Sequence, residues 1–212
     1  MTDFLEQLQQ ELVWATGSWI ELVAVLCGVA YVLLAAARKI ACWPMGLLAS
    51  FIYIPIMWDL KLYMDATLHI YYALMAIYGF WVWRGGGSEK QEEITAEQPV
   101  IIWSWKRHLV WGIFLTVAAC STGYVLDTFT YADFAYLDSL TTAFALFATY
   151  LTSRKVLENW IYWIVLDIVW AWLYSVKGIP MTSGLMVFYV FVATFGLVNW
   201  HKRWKAQEPA VL

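Results

Sequence analysis

Long apolar blocks, rather than one-sided helical stripes, organise this chain. Residues 22–37, 40–58 and 187–198 run almost without polar interruption. At about 1.5 Å of rise per residue, a block approaching 20 apolar residues matches the hydrocarbon thickness of a bilayer. A membrane barrel strand would alternate every second residue over about ten positions, and no such alternation occurs. The pattern predicts seven membrane-spanning helices, at residues 19–37, 40–58, 62–83, 109–126, 136–153, 156–176 and 179–200. Residues 84–98, with Gly85-Gly86-Gly87 followed by Glu89, Glu92, Glu93 and Glu97, read as a solvated loop, and residues 127–134 as a shorter one.

The blocks repeat. With the chain laid on itself at an offset of 117, Trp43 meets Trp160, Met64 meets Met181, Tyr72 meets Tyr189, Gly79 meets Gly196 and Trp83 meets Trp200. Glu21 meets Asp138, and Arg38-Lys39 meets Arg154-Lys155 after a one-residue slip. The expected fold is therefore all-α: one membrane domain of seven helices, with two parallel three-helix repeats (19–83 and 136–200) joined by a linker loop and helix at 84–135. An even number of crossings separates the repeats, so they share one orientation, related by an axis along the membrane normal. The fourth span resets the direction between them.

Charge adds an orientation. Arg38, Lys39, Arg84, Lys90, Lys106, Arg107, Arg154, Lys155, Lys202, Arg203 and Lys205 fall on one side, and only Lys61 and Lys177 on the other. A split of 11 to 2 is a strong positive-inside signal. It places the C-terminus in the cytoplasm and the acidic N-terminus outside. The first eighteen residues hold Asp3, Glu6 and Glu11 and no Lys or Arg, the wrong pattern for a cleavable signal peptide, so the N-terminus is expected to be retained.

Composition agrees. Residues are 62% hydrophobic and 14% charged, against roughly 25% charged in a soluble domain. Cys27, Cys42 and Cys120 stand in apolar blocks at spacings that fit neither a metal site nor a disulfide framework, and read as buried small apolar residues. No nucleotide-binding loop, nucleophile motif or metal cluster is present, so neither an enzyme, nor a resident cofactor, nor a nucleic-acid partner is expected.

Candidate chemistry concentrates on span six. Trp160, Trp163, Asp167, Trp170 and Tyr174 are three or four residues apart and share one helical face. A carboxylate near mid-bilayer costs at least a few kcal/mol unless it faces the protein interior, a partner or water. Flat π surfaces beside one negative charge suit a flat, cationic heteroaromatic ligand. Trp83, Trp103, Trp105, Trp200 and Trp204 read as interfacial anchors, and Trp160 as either an anchor or a site residue. The equivalent face of span two, Trp43, Gly46, Ser50 and Tyr53, lacks the carboxylate, so a site on the axis would be asymmetric. Asp65, His69 and Tyr72 on span three form either a proton relay or, more simply, a polar contact near the outer end of the span. Tyr189 and Thr182 come from span seven. Glu21 and Asp138 open spans one and five, where a gate is a candidate role. Thr141, Thr142 and Thr149 either line a pore or bond back to helix carbonyls.

The run Glu158-Asn159-Trp160-x-x-Trp163, the segment Leu62-Tyr63-x-Asp65, Tyr78-Gly79 with Trp83, and Lys177-Gly178 resemble the PnuC family of vitamin transporters over nearly the whole chain. The resemblance implies seven helices as three plus one plus three, in a bacterial inner membrane. It implies facilitated diffusion of an unphosphorylated vitamin that a cytoplasmic kinase then traps, and assembly as a homo-oligomer, a trimer. It puts Trp160 and Trp163 in the substrate site, with Asn159 beside them. The family carries nicotinamide riboside, thiamine and riboflavin. Nicotinamide riboside carriers show a Gln near the end of span five, where this chain has Thr149, so the amide partner for a nicotinamide carboxamide is missing. On that basis the resemblance is closer to the thiamine-type branch, with nicotinamide riboside second. A membrane receptor, or a binding subunit that needs an energising partner, is the alternative from another class.

Overall fold

The computed structural model describes residues 2–59, 63–85, 99–130, 134–177 and 180–207; within these, the side chains of 2–18, 63–65 and 180–181 are not described. Lys61, Gly178, nearly all of the 84–98 loop and the side chains of Met64, Asp65 and Met181 therefore lie outside the described residues. Seven helices are present: α1 (Thr2–Ala36), α2 (Cys42–Asp59), α3 (Tyr63–Trp83), α4 (Trp105–Phe129), α5 (Ala135–Ser153), α6 (Asn159–Val176) and α7 (Pro180–Gln207). Their order and number match the apolar blocks. Two helices outrun them: α1 begins at Thr2 and α7 continues to Gln207. Apolarity limits only the stretch inside lipid, whereas polar residues such as Glu6 or Lys202 propagate a helix into water as well as Leu does.

Six helices close a ring. α1 packs on α2, α2 on α3, α3 on α5, α5 on α6, α6 on α7, and α7 returns to α1. Each contact within residues 19–83 has a counterpart within 136–200, and the two seams between these units, α3 against α5 and α7 against α1, are counterparts too. α4 lies outside the ring, packing chiefly on α5 and touching α6 where the His108 Nδ1 lies 3.0 Å from the Tyr162 hydroxyl. There Gly123 lets Tyr136 approach so closely that an added Cβ would sit 2.9 Å from the Tyr136 Cα. The rest of α4 presents Leu109, Val110, Ile113, Phe114 and Val117 outward. Such continuous apolar exposure fits hydrocarbon rather than water. Cys27 and Cys42 are buried, but Cys120 is exposed on α4, because a helix outside the ring turns most of its circumference to lipid.

The two units end their first helices in the same way. Arg38 (φ 58°) and Lys155 (φ 52°) both adopt the left-handed conformation. The Lys39 N–H donates to the Leu34 carbonyl at 2.8 Å and the Val156 N–H to the Leu151 carbonyl at 3.0 Å. This six-to-one closure with a left-handed residue is the Schellman ending, usually built on glycine. Here it is built twice on a basic residue, at positions 117 apart.

Above these turns four tryptophans line up across the junction of the units. Trp43 meets Trp83 edge-on (5.3 Å, 87°), Trp83 meets Trp200 (6.0 Å), and Trp200 meets Trp160 edge-on (5.5 Å, 85°). Trp43 lies against Gly79 and Trp160 against Gly196, both without room for a Cβ. The central pair also bonds across the units: the Trp83 Nε1–H donates to the Ser153 carbonyl (3.1 Å) and the Trp200 Nε1–H to the Ala35 carbonyl (3.1 Å). The Asn199 amide donates to the Ala36 carbonyl (2.8 Å). Trp83 and Trp200 are thus buried and are not the interfacial anchors their positions suggest. The last carbonyls of α1 and α5 need donors: Trp83 supplies one to Ser153 and Asn199 one to Ala36, while Trp200 adds a second bond to Ala35, which also accepts the Arg38 N–H. Trp105, by contrast, is fully outward, as an anchor should be.

The segment after the acidic loop straps onto this end. The Ile101 N–H donates to the Lys155 carbonyl (3.0 Å), and the Leu157 N–H returns a bond to the Ile101 carbonyl (2.8 Å). The Trp103 N–H reaches the Glu158 carboxylate at 3.2 Å.

Candidate ligand site

Asp167 is 5% exposed and projects from the middle of α6. Tyr189 of α7 lies within electrostatic reach of Asp167 and also of Tyr53 on α2. The Tyr53 ring stacks on His69 of α3 (4.8 Å, 19°), and His69 meets the edge of Tyr72 (5.9 Å, 78°). A Cβ on Gly28 of α1 would stand 4.0 Å from the Tyr189 hydroxyl, an ordinary contact distance, so that hydroxyl lies beside α1. Helices α2 and α3 thus supply a stacked Tyr53–His69–Tyr72 aromatic cluster, and α6 and α7 contribute a buried carboxylate and the Tyr189 hydroxyl within electrostatic reach of it and of Tyr53. Rings supply stacking and cation attraction, and the carboxylate supplies charge compensation.

The remaining candidates divide. Trp163 is half-buried and directs its Nε1–H toward the Thr152 hydroxyl at 3.4 Å. Trp43 and Trp160 are 1% and 2% exposed and belong to the tryptophan array. Their indole nitrogens are nevertheless buried without a hydrogen-bond partner among the described residues, unlike those of Trp83 and Trp200. A buried donor left unsatisfied costs about 1–3 kcal/mol, so these two equivalent N–H groups are available to a ligand acceptor. Asn159 is fully buried and spends its amide locally: Nδ2 donates to the Val156 carbonyl (2.6 Å), and Oδ1 lies 3.1 Å from the Thr152 hydroxyl. It fixes the start of α6.

Ser50 bonds to the Gly46 carbonyl (2.8 Å), Thr141 to Leu137 (3.0 Å) and Thr149 to Ala145 (2.9 Å). Each returns to its own helix, although all three are buried. Ser50 is the counterpart of Asp167, so the site is polar on both sides and charged on one. Glu21 and Asp138 are both exposed at the far end of the bundle from the tryptophan array. Glu21 lies within electrostatic reach of Tyr53, whereas Asp138 sits in the first turn of α5, where a carboxylate favours the helix dipole.

His69 and Tyr72 join the site although the residue reading favoured a peripheral polar contact. The signal was present in their three-residue spacing on an apolar span, but it pointed to Asp65, whose side chain is not described, rather than across to Tyr53.

A ring of six membrane-embedded helices around buried aromatic and acidic side chains defines a small-molecule membrane transporter. A family model described as nicotinamide mononucleotide transporter matches residues 18–202, and the chain belongs to that family, the PnuC family of vitamin transporters. It is a carrier and not an enzyme. The chain is 24% identical over 204 residues to the nicotinamide riboside transporter PnuC of Escherichia coli K12, covering 86% of this chain and 85% of that protein. It is 23% identical over 203 residues to the nicotinamide riboside transporter PnuC of Neisseria mucosa, covering 90% of this chain and 74% of the other. The solved crystal structure of the Vitamin B3 transporter PnuC superposes with a TM-score of 0.72 at 24% identity, over 98% of this chain and 91% of that one. The two share their fold.

Proposed function

We propose that this carrier takes up nicotinamide riboside, an unphosphorylated cationic vitamin, by facilitated diffusion. The observation that carries the reading is Asp167, a buried carboxylate within electrostatic reach of Tyr189, which is in turn within reach of the Tyr53 ring stacked on His69. A pyridinium ring stacks on such faces and neutralises such a charge. The substrate is chosen from the relatives, which carry nicotinamide riboside and align along most of their length. Thiamine, to whose branch the family resemblance is closer, is the second reading. One observation favours it: Thr149 offers no amide, and its hydroxyl is already bonded to Ala145.

In this reading the two three-helix units rock about the ring axis. The basic end faces the cytoplasm of a bacterial inner membrane, and there the Trp43–Trp83–Trp200–Trp160 array closes the path, so release inward requires Trp83 and Trp200 to part. A cytoplasmic kinase that phosphorylates the vitamin would keep the gradient inward, and the family resemblance supports a trimer. Uptake of labelled nicotinamide riboside into liposomes that contain only this protein tests the carrier. Saturable flux down a gradient is expected. Binding without flux would instead make the chain a receptor or a subunit that needs an energising partner. Tryptophan-fluorescence titration ranks the ligands: tighter binding of thiamine than of nicotinamide riboside would reverse their order.

A further inference from the structure

The His69 Nδ1 is buried and has no hydrogen-bond partner among the described residues. Its ring is held flat on Tyr53 and edge-on to Tyr72, so the nitrogen cannot swing freely to find one. Ser50, Thr141, Thr149 and Asn159 close their bonds locally, whereas the His69 Nδ1 shares its lack of a partner with the Trp43 and Trp160 nitrogens and the Ser139 hydroxyl. A polar atom that is positioned, buried and unused is costly in the empty protein, and the cost is recovered when a ligand group fills it.

Both vitamins considered above carry a cationic heteroaromatic ring and an NH2 group outside it, the carboxamide NH2 in nicotinamide riboside and the aminopyrimidine NH2 in thiamine. A neutral imidazole whose proton sits on Nε2 presents Nδ1 as an acceptor. Building on the proposed function, we propose that His69 is a specificity-determining residue, its Nδ1 accepting a hydrogen bond from the exocyclic NH2 of the ligand. In this arrangement Asp167 on α6 balances the charge of the ligand while His69 on α3 reads its NH2 group.

The test is a comparison of ligands on the full-length protein in nanodiscs, by tryptophan-fluorescence titration. The probes are nicotinamide riboside, thiamine and N-ribosylpyridinium, which keeps the charge and ring but lacks the amide. His69→Ala should weaken the amide-bearing probe roughly tenfold more than it weakens ribosylpyridinium, the net worth of one buried hydrogen bond. Lost stacking on Tyr53 affects both probes alike and cancels in the ratio. His69→Gln, which keeps an acceptor and a good helix former, should restore part of the discrimination, and it carries the test if the alanine variant does not fold. Equal weakening of both probes, or unchanged affinity for both, overturns the assignment. Wild-type protein that binds no cationic probe overturns the proposed function itself, a result that the variants do not share.

Discussion

Replacing Gly196 by alanine adds one methyl where the structure has none to spare. A Cβ there would lie 2.7 Å from Cδ2 and Cε2 of Trp160 and 2.8 Å from its Cε3. Carbon atoms rest at about 3.5–4.0 Å, so the overlap is on the order of 1 Å along most of the indole face. The indole has no easy retreat: it is 2% exposed and meets Trp200 edge-on at 5.5 Å. Overpacking of this kind costs about 1–3 kcal/mol. For a chain of this length that corresponds to a midpoint lowered by roughly 5 °C. The assay is thermal unfolding in detergent, read by near-ultraviolet circular dichroism against Gly112→Ala. Gly112 also lies in a helix but has nothing within 4 Å of its added Cβ, so that control should be neutral or slightly stabilising through helix propensity. Adding Trp160→Phe to Gly196→Ala removes half of the obstructing ring system, so the double variant should lose less than the sum of the singles. A Gly196→Ala protein that melts with the Gly112→Ala control would refute the close packing of Trp160 on α7.

Two further outcomes are expected. Trp83→Phe and Trp200→Phe each remove one cross-unit N–H bond, worth about 1 kcal/mol, and weaken the same closure. In a background of Cys27→Ala and Cys120→Ala, both should accelerate thiol labelling of the buried Cys42 from the basic side; an unchanged rate argues against a closure at that end. Asp167→Asn keeps the shape of the side chain and removes its charge. It should weaken nicotinamide riboside by about tenfold more than a neutral dihydropyridine analogue, and equal losses for the two would remove Asp167 from charge compensation.

Helix number and order were legible in the chain because lipid leaves the backbone no option but to satisfy itself internally. Each apolar block is therefore a helix, and its ends are marked by charge. The equivalence of Trp43 with Trp160 and of Gly79 with Gly196 was legible in the 117-residue offset, whereas the packing of each ring on its glycine came only from the structure. Asp167 stood out as well: one carboxylate in an apolar span has an energetic cost that periodicity alone exposes.

Only the tertiary structure decided which way side chains of similar composition turn. Trp83, Trp105 and Trp200 are chemically alike at the ends of their spans, and the sequence pattern made anchors of all three. Trp105 faces outward on α4, whereas Trp83 and Trp200 turn inward to donate to Ser153 and Ala35. Likewise His69 looked peripheral until α2 and α3 were packed and its ring lay on Tyr53. The physical reason is common to both cases. Burial in a bilayer determines whether a segment is helical through its own residues, but a side chain's partners are set by which helix faces it, and the partners here stand on other helices, 70 and 165 positions away for Trp83 and Trp200.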